Sequence, residues 1–208
     1  IVDEATFRVA CGQYREAFSR WYPGPARVLY ASKAWSGLAL CALAAAEGLG
    51  IDAVSGGELH TALAAGVDPG LCYLHGNNKA PEELRLAVES GCTVIVDNRR
   101  ELEMLAELAP AGVPVSTLLR FTPGIGGGAH HAIRTGHEDS KFGFASAEMD
   151  TVLDFVRERP GLRYAGLHAH LGSQICELGP YRELAALLVR WMRRAAALGL
   201  ETQWLDVG

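Results

Sequence analysis

Strand-length apolar runs, each followed by a turn and then an alanine- and leucine-rich stretch, recur down this chain, and that repetition limits the fold more than any single motif. Parallel strands cannot be joined by a tight hairpin, and a crossover helix is the usual solution. The pattern predicts an opening helix near 3–19 and strands near 27–32, 51–54, 71–75, 93–97, 114–121, 163–170 and 202–207. Helices are expected near 37–48, 56–65, 81–90, 99–109, 147–159 and 180–198, many opened by a Ser, Gly, Pro or Asn that caps or starts a helix. No hairpin signal, linker or low-complexity segment divides the chain, so one domain over 1–208 is expected.

Seven β/α repeats suit either a doubly wound open sheet or a (β/α)8 barrel lacking one strand. The first strand is not followed by a Gly-x-Gly-x-x-Gly turn and no Walker-type loop is present, which weakens the nucleotide-binding open sheet. The barrel fits better. A complete barrel takes roughly 250 residues, whereas this chain stops at Leu205-Asp206-Val207-Gly208, where a further β/α unit ought to begin. The expected fold is therefore α/β, an incomplete (β/α)8 TIM-type barrel truncated at its C-terminal end and belonging to a longer protein. Such an open barrel would expose two strand edges and be poorly stable alone or prone to associate.

Composition narrows the function. With 49% hydrophobic and 21% charged residues the chain can bury a sizeable core, and a net charge of −5 gives no support for a nucleic-acid or membrane-surface partner. No apolar run approaches the ~20 residues of a membrane span, and Ile1-Val2-Asp3-Glu4 does not resemble a signal peptide. Cysteines at 11, 41, 72, 92 and 176 include no Cys-x-x-Cys pair and read as reduced thiols of a cytoplasmic protein, not as a disulfide frame or zinc site.

Positive charge is written almost wholly as arginine, sixteen against three lysines, Lys33, Lys79 and Lys141. Lysine is kept where an amine that can lose its proton is needed, a chemistry that arginine cannot perform. In a barrel the chemistry collects at the carboxyl ends of the strands. The first strand ends in Lys33, the second in Ser55-Gly56-Gly57-Glu58, the third in His75-Gly76-Asn77-Asn78-Lys79, the fifth in Arg120 and the sixth in His168-Ala169-His170-Leu171-Gly172-Ser173-Gln174. His168 and His170, two apart on one strand, point to one side and could make a metal pair, but no third ligand is evident nearby and no metal is expected. A strand-end lysine beside small residues suits a Schiff base, and glycine turns offer backbone N–H groups to a phosphate. Together these point to pyridoxal phosphate.

At this point the chain resembles a known family, the barrel-type (fold type III) pyridoxal-phosphate decarboxylases of the alanine racemase/decarboxylase type, and within it the diaminopimelate branch. The residues that carry the resemblance are Tyr30-Ala31-Ser32-Lys33-Ala34, Gly50 to Leu59 with Ser55-Gly56-Gly57-Glu58, His75-Gly76-Asn77-Asn78-Lys79, Thr122-Pro123-Gly124-Ile125, Thr135-Gly136, Ser140-Lys141-Phe142-Gly143-Phe144, the His168 to Gln174 run, and Leu205-Asp206-Val207-Gly208. The resemblance implies that Lys33 forms the Schiff base with the cofactor, that His170 stacks on its ring, and that Ser173 contacts its phosphate. It places Asp52 and Arg120 on the cofactor side of the barrel and Gly208 at the start of a glycine-rich phosphate loop. His75, Asn78 and Lys141 are further candidates for lining the site, Lys141 at an interface or the substrate channel. The implied reaction converts meso-2,6-diaminopimelate to L-lysine and carbon dioxide in a cytoplasmic homodimer.

The chain also departs from the family's pattern. Trp35 stands where an Asn is frequent, and Gly126-Gly127-Gly128-Ala129-His130-His131 replaces an acidic, histidine-rich stretch. The rest of the glycine-rich loop, a Glu-Pro-Gly-Arg strand and a C-terminal β-domain are not in this sequence; the resemblance implies that these segments together supply the pyridine-nitrogen partner, the substrate-carboxylate contacts and the dimer partner's share of the site, so the chain alone is expected to be inactive. Two alternatives stay open: a decarboxylase of another basic or carboxylated amino acid, and a non-catalytic barrel that only holds the cofactor.

Overall fold

A computed structural model of the chain describes residues 2–125, 141–173 and 175–208. The runs Gly126 to His131 and Thr135-Gly136, with Ser140 and Gln174, which the sequence reading singled out, lie outside the described residues. Helix α1 (Glu4–Trp21) precedes strand β1 (Leu29–Ala31), and the alternation continues through α2 (Leu38–Ala46), β2 (Gly50–Ala53), α3 (Gly56–Ala64), β3 (Cys72–Leu74), α4 (Pro81–Ser90) and β4 (Thr93–Val96). It then runs through α5 (Arg99–Leu108), β5 (Val115–Arg120), α6 (Met149–Arg157), β6 (Leu162–His168), α7 (Leu178–Ala197) and β7 (Trp204–Asp206). The chain's local chemistry sets the helix starts: Asp3, Ser55 and Asn98 cap α1, α3 and α5 by accepting from the N–H groups of Thr6, Glu58 and Glu101. Pro81 opens α4, and Gly91, in the left-handed region, closes it.

All seven strands are parallel and hydrogen-bond in sequence order, β1 to β7. Sequential order without reversal removes the doubly wound alternative and leaves the barrel. The sheet also curls. β3 and β7 are four ladder steps apart, roughly 19 Å in a flat sheet, yet His75 Nε2 just beyond β3 lies 3.9 Å from Asp206 Oδ2 on β7. β1 and β7 form the two edges.

Side-chain alternation divides the sheet into two faces. Outward residues such as Leu74, Val94, Val96, Leu119 and Leu167 pack under the helices with Leu59, Leu84, Leu102, Leu105, Leu153 and Leu188, forming the main core. Inward residues Tyr73, Ile95, Leu118 and Ala165 meet Leu29 and Trp204 in a second, smaller cluster inside the curl. Two positions further along, the inward residues turn polar: His75 after Tyr73, Asp97 after Ile95, Arg120 after Leu118, Asp206 after Trp204. The barrel interior is thus an apolar plug with a polar layer above it, at the carboxyl ends. The register that builds this layer includes a bulge between β5 and β6, after which Arg120, His168 and Asp206 fall side by side. Gly166 makes the close approach to β7 possible, because a Cβ there would sit 1.9 Å from the Trp204 carbonyl oxygen.

Candidate active site

A cavity of about 1440 Å³ opens above the polar layer and extends past β1 to α1, where Phe7, Tyr14 and Phe18 line it. Lys33, Asp52, His75, Arg120, Lys141, His170, Ser173 and Gly208 all line it. Asn78 does not: the positive φ of Gly76, +110°, turns the segment so that Asn77 faces the cavity and Asn78 is exposed.

Lys33 sits just past β1, in the 3-10 turn Ser32–Ala34, and not in the strand itself. The turn is anchored from below. Buried Ser32 Oγ lies 2.7 Å from Glu58 Oε2 and 2.9 Å from the Asp52 carbonyl oxygen, and the same Glu58 oxygen accepts from Val54 N at 2.8 Å. Glu58, at the start of α3, therefore fixes the loop that presents the lysine.

Asp52, at the inward face of β2, is pushed up to about 7 by burial, with the Asp206 carboxylate adding to the shift and Lys33 opposing it. Its Oδ1 lies 3.5 Å from His75 Nε2. Burial holds His75 and His168 well below the ordinary histidine value, so both are neutral at pH 7; their rings meet edge to face with centroids 4.8 Å apart. Arg120 is gripped on two sides, by Asp97 Oδ1 at 3.2 Å and by the ring of Phe142, 4.4 Å from its guanidinium carbon.

His170 lies beyond the β6 ladder, with its pKa lowered by burial and by Arg120 and Lys33. Its ring is seated on the chain end: at Gly208, φ +88°, a Cβ would fall 2.3 Å from His170 Nδ1. Gly208 N in turn donates to Asp206 Oδ1 at 2.9 Å.

The metal pair considered for His168 and His170 is not the arrangement found. His168 groups instead with His75 and Asp206, whose donor atoms all lie within 4.8 Å of one another, and these supply the neighbours that spacing along one strand did not reveal. The cationic Arg120, which helps hold His168 neutral, works against a further positive charge there.

The cavity fits the cofactor expected from the sequence. Among the described residues, Asp52 Oδ1, His75 Nε2 and His168 Nδ1 are buried without a hydrogen-bond partner, groups that a bound polar molecule can satisfy. An amine, a flat neutral ring, a hydroxyl and a side-chain-free glycine surround the same space. Sequence reasoning gave no role to Glu58, Asp97 or Asp206. For Asp97 and Asp206 the available signal was the strand period, since each lies two positions beyond an inward apolar residue.

The model of the family described as "Pyridoxal-dependent decarboxylase, pyridoxal binding domain" matches residues 5–208. The diaminopimelate decarboxylase of Synechocystis sp. is 48% identical over 217 residues, covering 100% of this chain and 46% of the relative. That of Bacillus subtilis is 42% identical over 181 residues, covering 84% and 40%. Among solved structures, the Helicobacter pylori diaminopimelate decarboxylase complexed with L-lysine superposes with a TM-score of 0.88 at 27% identity, over 97% of this chain and 52% of that one. The chain spans about half the length of the curated relatives it matches. By its family match over residues 5–208, its sequentially ordered parallel strands and its likeness to these relatives, the chain belongs to the pyridoxal-dependent decarboxylases, as their pyridoxal-binding domain.

Proposed function

We propose that this chain is the barrel portion, over 1–208, of a decarboxylase that takes meso-2,6-diaminopimelate to L-lysine and carbon dioxide. The reading rests on the meeting of Lys33, Asp52, Arg120, His170 and Ser173 around one cavity, in a chain with this likeness to diaminopimelate decarboxylases. When bound, pyridoxal phosphate supplies an aldehyde carbon for an amine and a ring that takes up the electron pair left as the carboxylate departs.

The chain's own residues then have distinct tasks. Lys33, exposed in the cavity, would hold the cofactor's aldehyde through Nζ. His170, kept neutral, offers a flat uncharged face to the ring. Ser173 and the bare backbone at Gly208 would hold the phosphate. Asp52, pushed up to about 7, can hold or release a proton near neutral pH beside His75. Arg120 keeps a fixed positive charge at the cavity wall through Asp97. Lys141, with its ammonium 5.0 Å from the Phe142 ring centroid, lines the cavity, where it could meet a substrate carboxylate.

The parent protein acts as a cytoplasmic homodimer on this reading. Cys11, Cys41, Cys72 and Cys92 are buried free thiols, which suits a reducing compartment. No described helix is long and apolar enough to cross a membrane. The test is carbon dioxide release by the full-length protein from a panel of meso-diaminopimelate, ornithine and arginine. Turnover of diaminopimelate alone is expected; turnover of ornithine or arginine in its place, or of none, contradicts the assignment.

A further inference from the structure

Lys33 and Lys141 are exposed cavity residues, but Lys79 is buried, and the proposed chemistry leaves it without a task. All three of its ammonium donors are used: Gly76 O at 2.7 Å, Ile95 O at 2.8 Å and Glu101 Oε2 at 2.8 Å. The Lys79 and Glu101 side chains are each only 2% exposed. A buried ion pair is weak evidence for stability, since its desolvation offsets most of its attraction. What this one does is geometric. The Glu101 oxygen that receives Lys79 also accepts from Asp97 N at 2.9 Å, which fixes the peptide immediately after β4. The Asp97 carboxylate divides between Arg120 Nη1 at 3.2 Å and Gly143 N at 3.0 Å. A continuous chain of contacts therefore runs from Lys79 to the guanidinium in the cofactor cavity.

We propose that Lys79 and Glu101 form a buried positioning device that fixes Asp97 and, through it, the place of Arg120 at the cofactor. Lys79 is a positioning residue here, not a reacting one. The proposal rests on the reading of Arg120 as a cofactor-site residue.

The test is a double-mutant cycle in the full-length protein, reading the pyridoxal phosphate dissociation constant together with the thermal midpoint. Lys79→Met is combined with Glu101→Gln, so that neither charge is stranded, and the pair is placed in the parental and Arg120→Ala backgrounds. Binding is expected to weaken roughly tenfold in the parental background, the scale of one charge-assisted hydrogen bond. In the Arg120→Ala background the change should fall within about twofold. Equal weakening in both backgrounds, or none in the parental one, overturns the device and shows a merely structural pair. If the neutralised pair does not fold, Asp97→Asn takes its place in the same cycle with the same two readings. Arg120→Ala alone separates the two levels: unchanged affinity in that variant overturns the site reading and the device together, whereas weakened affinity with additive effects overturns the device alone.

Discussion

Asp52 is surrounded by unequal influences: burial and the Asp206 and Glu58 carboxylates push its proton on, while Lys33 and Arg120 pull it off. The first group wins, so its value rises from 3.8 to about 7. A carboxyl raised on folding binds more protons in the native state, and stability falls as pH climbs between those two values. Asp52→Asn should therefore stabilise the cofactor-free full-length protein near pH 7 and lose that advantage below about pH 4, as thermal midpoints across pH would show. His75 and His168 carry the opposite sign: lowered on folding, they withdraw stability as pH falls below their ordinary 6.5. Gly208 gives a second residue-scale prediction. Gly208→Ala and Gly66→Ala both place alanine at positive φ, a strain of about 1–2 kcal/mol, but only at Gly208 does the new Cβ meet a neighbour, His170. Cofactor affinity, measured by titration, should fall in Gly208→Ala and hold in Gly66→Ala. Lys33 was legible in the sequence because lysine is so scarce here. Asp97 and Asp206 carried only the strand period as a signal: Asp97, between β4 and the Asn98 cap of α5, reads equally well as a turn residue, and the meeting of the two acids with Arg120 and His75 follows only from the curl. Asn77 and Asn78 could not be told apart before the backbone at Gly76 was known.

The segment around the start of α5 shows how an ordinary helix device serves the site. Asn98 Oδ1 caps the helix at Glu101 N, and Asn98 Nδ2 reaches Asn77 O and Glu101 Oε1, tying the end of β4 to the cavity segment after β3. Asn98→Ala should cost about 1 kcal/mol of stability, measured by denaturant unfolding, on the scale of a lost helix cap. It should also weaken pyridoxal phosphate binding if the cap holds the cavity wall in place. All seven strands and all seven helices were legible, to within about two residues at most ends, because hydrophobic periodicity and helix caps act locally. The 3-10 turns Ser32–Ala34 and Pro69–Leu71 were not, being three residues long with no period to detect. The strand reading also carried His170 inside β6, whereas the ladder ends at His168. That shift is why the two histidines part company, one joining the buried polar layer and the other lying against Gly208.

At the scale of the molecule, the sheet's strand order and curl turn scattered strand ends into a single cavity. Barrel topology was legible from repeat number and from the absence of nucleotide-loop signatures, but the approach of His75, just beyond β3, to Asp206 on β7 was not, since nothing in a local pattern specifies the curl. β1 and β7 are open edges, and Tyr14, Trp21 and Leu178 are exposed among the described residues. On the proposed reading, this architecture presents Lys33 to the cofactor. Borohydride reduction of the cofactor-loaded full-length protein, followed by peptide mapping, is the test. The pyridoxyl adduct is expected on the peptide carrying Lys33; recovery on Lys79 or Lys141, or on no lysine at all, rules out Lys33 as the cofactor-binding lysine.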